Sequence, residues 1–375
     1  MPQPVETPVT PPVMSNKRFG GRLGFIDFTR GLAALVMLQG HVFHSFARPD
    51  IREGGPYSIS QFLGGLAPAV FLFLTGVTLG FLMNGLERKG ADGKARVFAA
   101  LRRAGYLATV AILFRVQLWA FSWPTGQWTD MLKVDILNCM ALAIILLAPL
   151  AVFTTAERAR HAMVIGIAIA IASPVISLID PSNLPMMVRM YLVPDYRYFS
   201  FFPWASFVAF GLCAGSILRV AGSEQMHRVM QWSAILGFGL VITAQYFSNL
   251  PYSLYPSVDF WLNSPGLILI KLGAILVILA VTFLWTSTAG AEGWSWVRQL
   301  GTTSLLVYWV HIELVYGRWF GYWKEKLDNG ECAIFAFLLI LSMLALSVVS
   351  KKWNWKAIRS WLSLAPPTPE RVSGD

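Results

Sequence analysis

Apolar residues dominate this chain in long runs, which short polar and charged clusters interrupt at regular intervals. Each run holds about 18 residues or more, the length that an α-helix needs to cross a bilayer core about 30 Å thick. The pattern therefore predicts an all-α, polytopic transmembrane helical bundle of about ten spans. The predicted spans are 29–47, 61–84, 104–123, 134–153, 162–180, 200–221, 230–248, 265–287, 301–320 and 332–350.

The composition agrees with a membrane protein. Of the 375 residues, 55% are hydrophobic and only 13% are charged, whereas a soluble domain carries roughly 25% charged residues. The net charge of +10 would also suit a protein that binds nucleic acid. Basic residues in short loops, however, set the orientation of membrane proteins. We interpret the charge as a topology signal and predict the lipid bilayer, and no nucleic acid, as a partner.

The loop charges predict the orientation. With a cytoplasmic N-terminus, lysine and arginine concentrate on the cytoplasmic side loop after loop, and the basic C-terminal tail returns to that side. We therefore predict two cytoplasmic termini, and a bacterial inner membrane as the location. The expected domains are a disordered cytoplasmic tail over 1–22, a transmembrane domain over 23–360 and a cytoplasmic tail over 361–375.

Ionisable residues inside the first span are the first candidates for function, because such groups are costly in a bilayer. Asp27 and Arg30 lie three residues apart and are spaced to pair. His41 follows Arg30 by eleven residues, which places both on one stripe of the helix, about 16 Å apart along its axis. An arginine near the inner surface can bind phosphates, and a deeper histidine can take a proton from a nucleophile. A structural role in hydrogen bonding is the alternative for His41.

Later spans carry further candidates. Asp135 and Asn138 share a face at the outer end of the fourth span, where Asp135 is suited to orient a histidine or to cap the helix. His311 lies about 15 Å into the ninth span, which resembles the depth of His41, and Tyr308 lies one turn below it. The two histidines either converge on one site or are unrelated structural residues.

Arg115 and the cysteines complete the candidates. Arg115 lies in the middle of the third span and keeps its charge, so it requires an acidic partner, a phosphate or water, and we expect it to line a cavity. Cys139, Cys213 and Cys332 form no spacing motif and are expected to be packing residues. No metal site is predicted.

Five motifs, in chain order, resemble the membrane-bound acyltransferase superfamily, which includes the acyltransferase-3 family and the catalytic domain of heparan-α-glucosaminide N-acetyltransferases. The signature of its first helix is a basic residue, ten intervening residues and a histidine, matched here by Arg30 and His41. The motifs are FIDFTRGLAALVMLQGH, FLGGLAPAVFLFLTGVTLGF, KVDILNCMALA, FFPWASFVAFGLCAG and LGTTSLLVYWVH. The third and fourth favour the heparan-acetyltransferase-like branch.

The resemblance implies acyl transfer from cytoplasmic acyl-CoA, with acetyl-CoA the expected donor, to an outer acceptor. The expected acceptor is a sugar hydroxyl or amine of a glycan or glycolipid. His41 would act as general base or transient acyl carrier, Asp135 would orient an imidazole, and His311 or Tyr308 would bind acceptor or stabilise the oxyanion. The predicted site residues are catalytic His41, Asp135 and His311; donor-binding Arg30, Arg102, Arg103 and Arg115; and substrate-binding Asn138 and Tyr308.

Two other functions use the same buried residues. A transporter or flippase for a small anion or a lipid-linked sugar would employ them as substrate and proton sites. A membrane scaffold would need them only for its structure. Dependence on acyl-CoA separates the acyltransferase from both alternatives.

Overall fold

The computed structural model describes residues 23–180, 182, 184–288 and 293–352. The predicted tails over 1–22 and 361–375 lie outside these residues. The described part of the chain forms an all-α bundle without a β-strand. Its helices are α1 (Gly24–Phe46), α2 (Gly55–Gly64), α3 (Ala67–Arg88), α4 (Gly93–Phe121), α5 (Ile136–Leu147), α6 (Thr155–Ile176), α7 (Met186–Leu192), α8 (Phe201–Val220), α9 (Ser223–Ser248), α10 (Pro265–Thr288), α11 (Trp296–Thr302), α12 (Ser304–Tyr316) and α13 (Asn329–Lys352).

Every predicted span corresponds to a helix or to a consecutive pair of helical segments. Within the described residues, eight such segments are long and apolar enough to cross a bilayer. The two exceptions are α1, whose polar side chains interrupt its apolar sequence, and the shorter α12. These two helices carry His41 and His311. The candidate chemistry therefore lies on the two predicted spans that do not meet the criteria of length and apolar composition for crossing a bilayer.

Three span predictions need correction in detail. The second span is broken, because α2 ends at Gly64 and α3 begins at Ala67. The ninth is also broken, at Thr303, whose hydroxyl lies within hydrogen-bonding distance of Ser347 on α13. The third begins earlier than predicted, at Gly93, because the Asp92 side chain caps α4 by accepting from the backbone N–H of Ala95 at 2.8 Å.

We call the end of the bundle at which α1 begins the near face, and the opposite end the far face. At the near face, the fully buried Arg158 of α6 donates to Glu87 of α3 at 2.6 Å, and Arg96 of α4 pairs with the same carboxylate at 3.0 Å. At the far face, Arg52 pairs with Glu325 across 3.1 Å. Each face thus joins helices that are distant in sequence.

The centre of the bundle is the contact between α3 and α8, which glycines allow to approach closely. A Cβ atom on Gly76 would lie 2.0 Å from the Val208 carbonyl oxygen, and one on Gly211 would lie 1.9 Å from the Phe73 oxygen. Small residues let membrane helices approach in this way, so that van der Waals packing stabilises the pair. α6 packs on the other side of α8, and α9 packs with α10.

α1 lies between this core and the C-terminal helices. It packs against α11, α13, α2, α10, α3 and α12. A Cβ atom on Gly301 would lie 1.8 Å from the Asp27 carbonyl oxygen, so that α11 touches the backbone of α1. This arrangement brings α12 and its histidine alongside the far half of α1.

Candidate active site

One cavity of about 1050 Å³ lies among α1, α3, α4, α5 and α12. It begins at Arg30 and Arg103 in the near half of the bundle, and its lining reaches Arg318 and Lys324 beyond the far end of α12. Arg30 and His41, which the sequence places on one stripe of α1, both line it. Pro68, which follows the break between α2 and α3, lines it as well.

The near end of the cavity is basic. Arg30 forms the predicted pair with Asp27, at 3.4 Å, and Arg103 donates a hydrogen bond of 2.6 Å to the Thr78 hydroxyl. The two arginines are close enough to interact electrostatically, and their like charges repel. Ser304, the first residue of α12, lies on the same wall. An anion at this end would relieve the repulsion and meet the positive end of the helix dipole.

The two candidate histidines meet at the cavity wall. Nδ1 of His41 lies 2.9 Å from Nε2 of His311, and their rings stack with an interplanar angle of 14°. Nδ1 of His311 lies 2.7 Å from the Val307 carbonyl oxygen. A carbonyl can only accept, so Nδ1 of neutral His311 carries the hydrogen and its Nε2 is an acceptor. His41 must therefore donate from Nδ1, which leaves its Nε2 unprotonated.

The two paired histidines differ in their access to the cavity. His41 is half-buried and lines the cavity, whereas His311 is fully buried behind it. No hydrogen bond within the described residues engages Nε2 of His41. Tyr316 packs its ring edge against His41 at 5.3 Å, and Tyr308 packs against His311 at 5.8 Å. The ring nitrogen available to a bound molecule is Nε2 of His41.

Arg115 and Asp135 form an ion pair in the cavity wall. Nε of Arg115 lies 3.2 Å from Oδ2 of Asp135, whose Oδ1 caps α5 by accepting from the backbone N–H groups of Leu137 and Asn138. Arg115 has the acidic partner and the cavity position that its sequence context requires. The carboxylate is engaged with Arg115 and the helix cap, and the only hydrogen-bond partner of the His41 side chain in the described chain is His311. The prediction that Asp135 orients an imidazole is therefore not the arrangement found.

Besides His311, two predicted site residues lie off the cavity lining. Arg102 is exposed on the outside of α4, because one step along a helix turns the side chain by about 100° from that of Arg103. Asn138 donates its amide to the Tyr191 hydroxyl at 3.1 Å and so connects α5 to α7. By contrast, the predicted Tyr308 lines the cavity.

Glu313 is an ionisable residue of the cavity for which the sequence predicted no role. It is buried, it lines the cavity, and its carboxylate accepts from the Trp319 indole at 3.0 Å and from the Gln117 amide at 3.4 Å. The Gln117 oxygen in turn accepts from the Trp309 indole. The sequence signal for Glu313 is an ionisable residue inside a predicted span, although it lies roughly 160° around the helix from His311.

The far mouth combines charged and aromatic side chains. Lys133 pairs with Asp130 at 2.8 Å, and Arg197 lies 2.9 Å from Asp195, which lowers the pKa of that carboxyl. Partial burial lowers the pKa of the Lys324 amine, and Glu313 opposes that effect by charge attraction. The further lining residues of this mouth are Trp119, Trp123, Thr125 and Arg318.

The cysteines have the packing positions that the sequence predicts. Cys139, Cys213 and Cys332 are all buried and free. Among the residues that the structure describes, no group of three or more His, Cys, Asp or Glu side chains is placed to hold a metal ion.

Comparison with known proteins identifies the family. The model described as "Heparan-alpha-glucosaminide N-acetyltransferase, catalytic" matches residues 22–244, which is more than half of the chain. No curated protein matches. The matched region includes Arg30, His41, Arg103 and Asp135, whereas His311 lies beyond it. The chain thus belongs to the heparan-alpha-glucosaminide N-acetyltransferase catalytic-domain family, a family of membrane acetyltransferases.

Proposed function

We propose that this protein transfers an acetyl group from acetyl-CoA, bound from the near face, to a sugar amine or hydroxyl presented at the far face. One observation carries the proposal: a single cavity has a basic near end, an unprotonated histidine nitrogen on its wall and a mouth beyond the far end of α12. Donor and acceptor would meet from opposite sides of the membrane at His41. The family match supports the acetyl donor and the glycan or glycolipid acceptor.

Arg30 and Arg103 would hold the phosphates of the donor. Their mutual repulsion, and the beginning of α12 at Ser304, favour an anion between them. The pantetheine arm would then follow α1 towards His41, a rise of about 16 Å for eleven residues. Arg115 would contact the donor near the thioester. We assign the near face to the cytoplasm, because acetyl-CoA is supplied there and the loop charges agree; a bacterial inner membrane fits this orientation.

His41 would act as the general base. Its Nε2 would take the proton from the acceptor amine or hydroxyl while that atom attacks the thioester carbonyl. A new bond from carbon to nitrogen or oxygen forms, the carbon–sulfur bond breaks, and the proton passes to the departing CoA thiolate. His311 would hold His41 in the required tautomer. In the alternative route, Nε2 itself accepts the acetyl group and passes it to the acceptor in a second step.

The test measures binding of radiolabelled acetyl-CoA and release of CoA, with glucosamine as acceptor, in purified protein. Wild type should bind acetyl-CoA and release CoA. His41→Ala should still bind but release CoA at least about 10²-fold more slowly, the usual contribution of a general base. His161→Ala, which alters an exposed histidine at the near-face end of α6, is the matched control and should behave as wild type.

The proposal fails if folded wild-type protein does not bind acetyl-CoA, or if His41→Ala releases CoA at the wild-type rate. The two chemical routes are separated by omitting the acceptor. Retention of label on the wild-type protein, and its absence on His41→Ala, would support an acyl-histidine. Release of CoA only when acceptor is present would support direct transfer.

A further inference from the structure

The walls of the cavity are not equally tight. α1 packs closely against α3 and α12, α3 packs against α4 and α5, and α4 packs against α5. α4 and α12 complete the ring, yet their backbones approach each other less than those of the other neighbours in the described chain. The ring of helices is therefore loosest, at the level of the backbone, along the line between α4 and α12.

Side chains alone close this line, which we call the α4–α12 seam. Phe114 packs its ring against Tyr308 and Trp309, with centroids 5.4 and 5.3 Å apart. Gln117 accepts from the Trp309 indole and donates to Glu313. At the far end, Phe121 packs edge-on against Trp319 at 6.4 Å. The seam therefore consists of three aromatic and two polar contacts between side chains.

Side chains of the seam that line the cavity are in direct contact with one that does not. Phe114, Tyr308, Glu313 and Phe121 line the cavity, whereas Trp309, which contacts Phe114, does not. Rotation of these side chains would connect the cavity with the space outside the bundle. Backbone elements would not have to separate, and rotamer changes are fast compared with domain motions.

The space outside the seam is the hydrocarbon part of the membrane. The side chains that α4 turns away from the cavity are apolar and exposed, with Ile112 at 61%, Leu113 at 56% and Val116 at 42%, so α4 itself faces lipid. Trp309 lies two residues before His311 on α12. The opening would therefore lie at about the depth of the histidine pair and would lead from lipid into the cavity that His41 lines.

The inner side of the seam suits a sugar. Glu313 lines the cavity at the seam, and Gln117, which donates to it, lies within the seam, so that a carboxylate and an amide are available to hydrogen-bond to hydroxyl and amino groups. The Trp319 indole donates to the same carboxylate from outside the cavity lining. Apolar side chains outside and polar groups inside match a molecule whose tail stays in the bilayer while its head enters the cavity.

We propose that the α4–α12 seam is a lateral portal for an acceptor sugar that carries a hydrocarbon tail. This inference rests on the proposed function, of which it specifies the acceptor class as lipid-linked. The head group displaces the contacts of Gln117 with Glu313 and Trp309, and the tail remains between the helices. A soluble acceptor, which would enter through the far mouth, does not need the seam to open.

The experiment locks the seam with a reducible cross-linker. Phe114→Cys with Trp309→Cys is bridged by a short bis-methanethiosulfonate reagent in lipid nanodiscs, with acetyl-CoA as donor. Two acceptors are compared, dodecyl glucosaminide and soluble glucosamine. The matched control bridges Arg52→Cys with Glu325→Cys, which ties the far-face loops by a comparable link but leaves the seam free. The native cysteines are buried, which limits their reaction with the reagent.

Locking the seam should lower transfer to dodecyl glucosaminide at least tenfold, while transfer to glucosamine stays within twofold and reduction restores both. The control pair should leave both rates unchanged. Equal transfer to the two acceptors in the locked protein, whether both persist or both are lost, would overturn the portal. The same double-cysteine protein before bridging is the folding control for the change at the buried Phe114, and it should transfer acetyl to both acceptors.

Uptake of radiolabelled dodecyl glucosaminide separates this inference from the proposed function. If wild type releases no CoA with either acceptor but the locked seam still blocks uptake, the portal stands and the acetyltransferase proposal fails. If CoA is released and the locked protein takes up the glycoside as fast as the reduced one, the acetyltransferase stands and the portal fails.

Discussion

His41 depends on a neutral partner. In many enzymes a carboxylate orients the catalytic histidine and also stabilises its charged form. Here the Val307 carbonyl fixes the hydrogen on Nδ1 of His311, and Nε2 of His311 then fixes the hydrogen on Nδ1 of His41. These two hydrogen bonds determine which nitrogen of His41 is free, and they do so without an anion beside it. We regard His311 as a positioning residue, since it lies behind His41 and off the cavity lining.

Replacement of His311 tests this role. His311→Leu removes the acceptor for Nδ1 of His41, so we expect the kcat of acetyl transfer to fall by about 10²-fold, while the KM for acetyl-CoA changes little. His311→Gln provides an amide oxygen as acceptor and should recover part of the rate. If the leucine and glutamine variants lose the same activity, or if KM changes instead of kcat, His311 does not act through the tautomer of His41.

Adjacent arginines on α4 offer a matched pair for the donor site. Arg103 lines the near end of the cavity, whereas Arg102 is exposed on the outside of the helix. Arg103→Ala should raise the Kd for acetyl-CoA about tenfold, since a hydrogen bond to a charged group contributes about 1.5–3 kcal/mol. Arg102→Ala should leave it unchanged. Equal effects of the two substitutions on equilibrium binding would contradict a phosphate site at Arg103.

At the scale of elements, the α3–α8 contact is the most constrained packing in the bundle. Gly76 and Gly211 each lie within van der Waals contact of the backbone of the other helix. Any side chain at these positions must push the helices apart, and α8 also supports α6 and α5. α3 carries the cavity residues Pro68, Phe71 and Thr75, so this contact also fixes one wall of the site.

Substitutions of two glycines on α3 distinguish the effect of helix packing on stability from the effect of helix propensity. Gly76→Ala places a methyl group 2.0 Å from a carbonyl oxygen, so we expect a loss of about 1–3 kcal/mol and a lower thermal midpoint. Gly85→Ala, on the same helix, meets nothing within 4 Å and should be neutral or stabilising by up to about 1 kcal/mol. Thermal unfolding in detergent, followed by size-exclusion chromatography, measures both. A midpoint for Gly76→Ala at or above that of Gly85→Ala would contradict this packing.

At the scale of the whole molecule, the two faces of the bundle are held by different chemistry. The near face has a buried ion network in which Arg158 donates to Glu87, Asn84 and the Phe153 carbonyl. A buried arginine tolerates loss of its partners poorly, because desolvation of the charge is then uncompensated. The far face relies on loop contacts, such as the hydrogen bond of 2.7 Å from Tyr196 to Asp259.

The proposed orientation leads to a labelling prediction. Leu254 is 94% exposed in the far-face loop, and Lys94 is exposed at the near-face start of α4. In intact cells, a membrane-impermeant maleimide should label Leu254→Cys and not Lys94→Cys; after lysis both should react. The three buried native cysteines should give little background. The reverse pattern in intact cells would invert the assignment of donor and acceptor sides.

The sequence by itself determined the all-α membrane architecture and the order and approximate position of the apolar helices, because the bilayer requires long apolar segments with charge confined to their ends. It also determined the stripe that joins Arg30 to His41, because the helical repeat alone sets that relation. The five motifs sufficed to indicate the family, which the match over 22–244 confirms.

Only the tertiary structure decided which side chains face one another. Whether His311 lies near His41, which of the two lines the cavity, and which ring nitrogen is free depend on how α12 packs beside α1. The same holds for Arg102 and Arg103, and for Glu313 in the seam. The rotation and neighbours of each helix are set by contacts between residues distant in the chain, such as Gly301 with Asp27. Hydrophobic periodicity does not encode those contacts, because these buried helices are apolar on nearly every side.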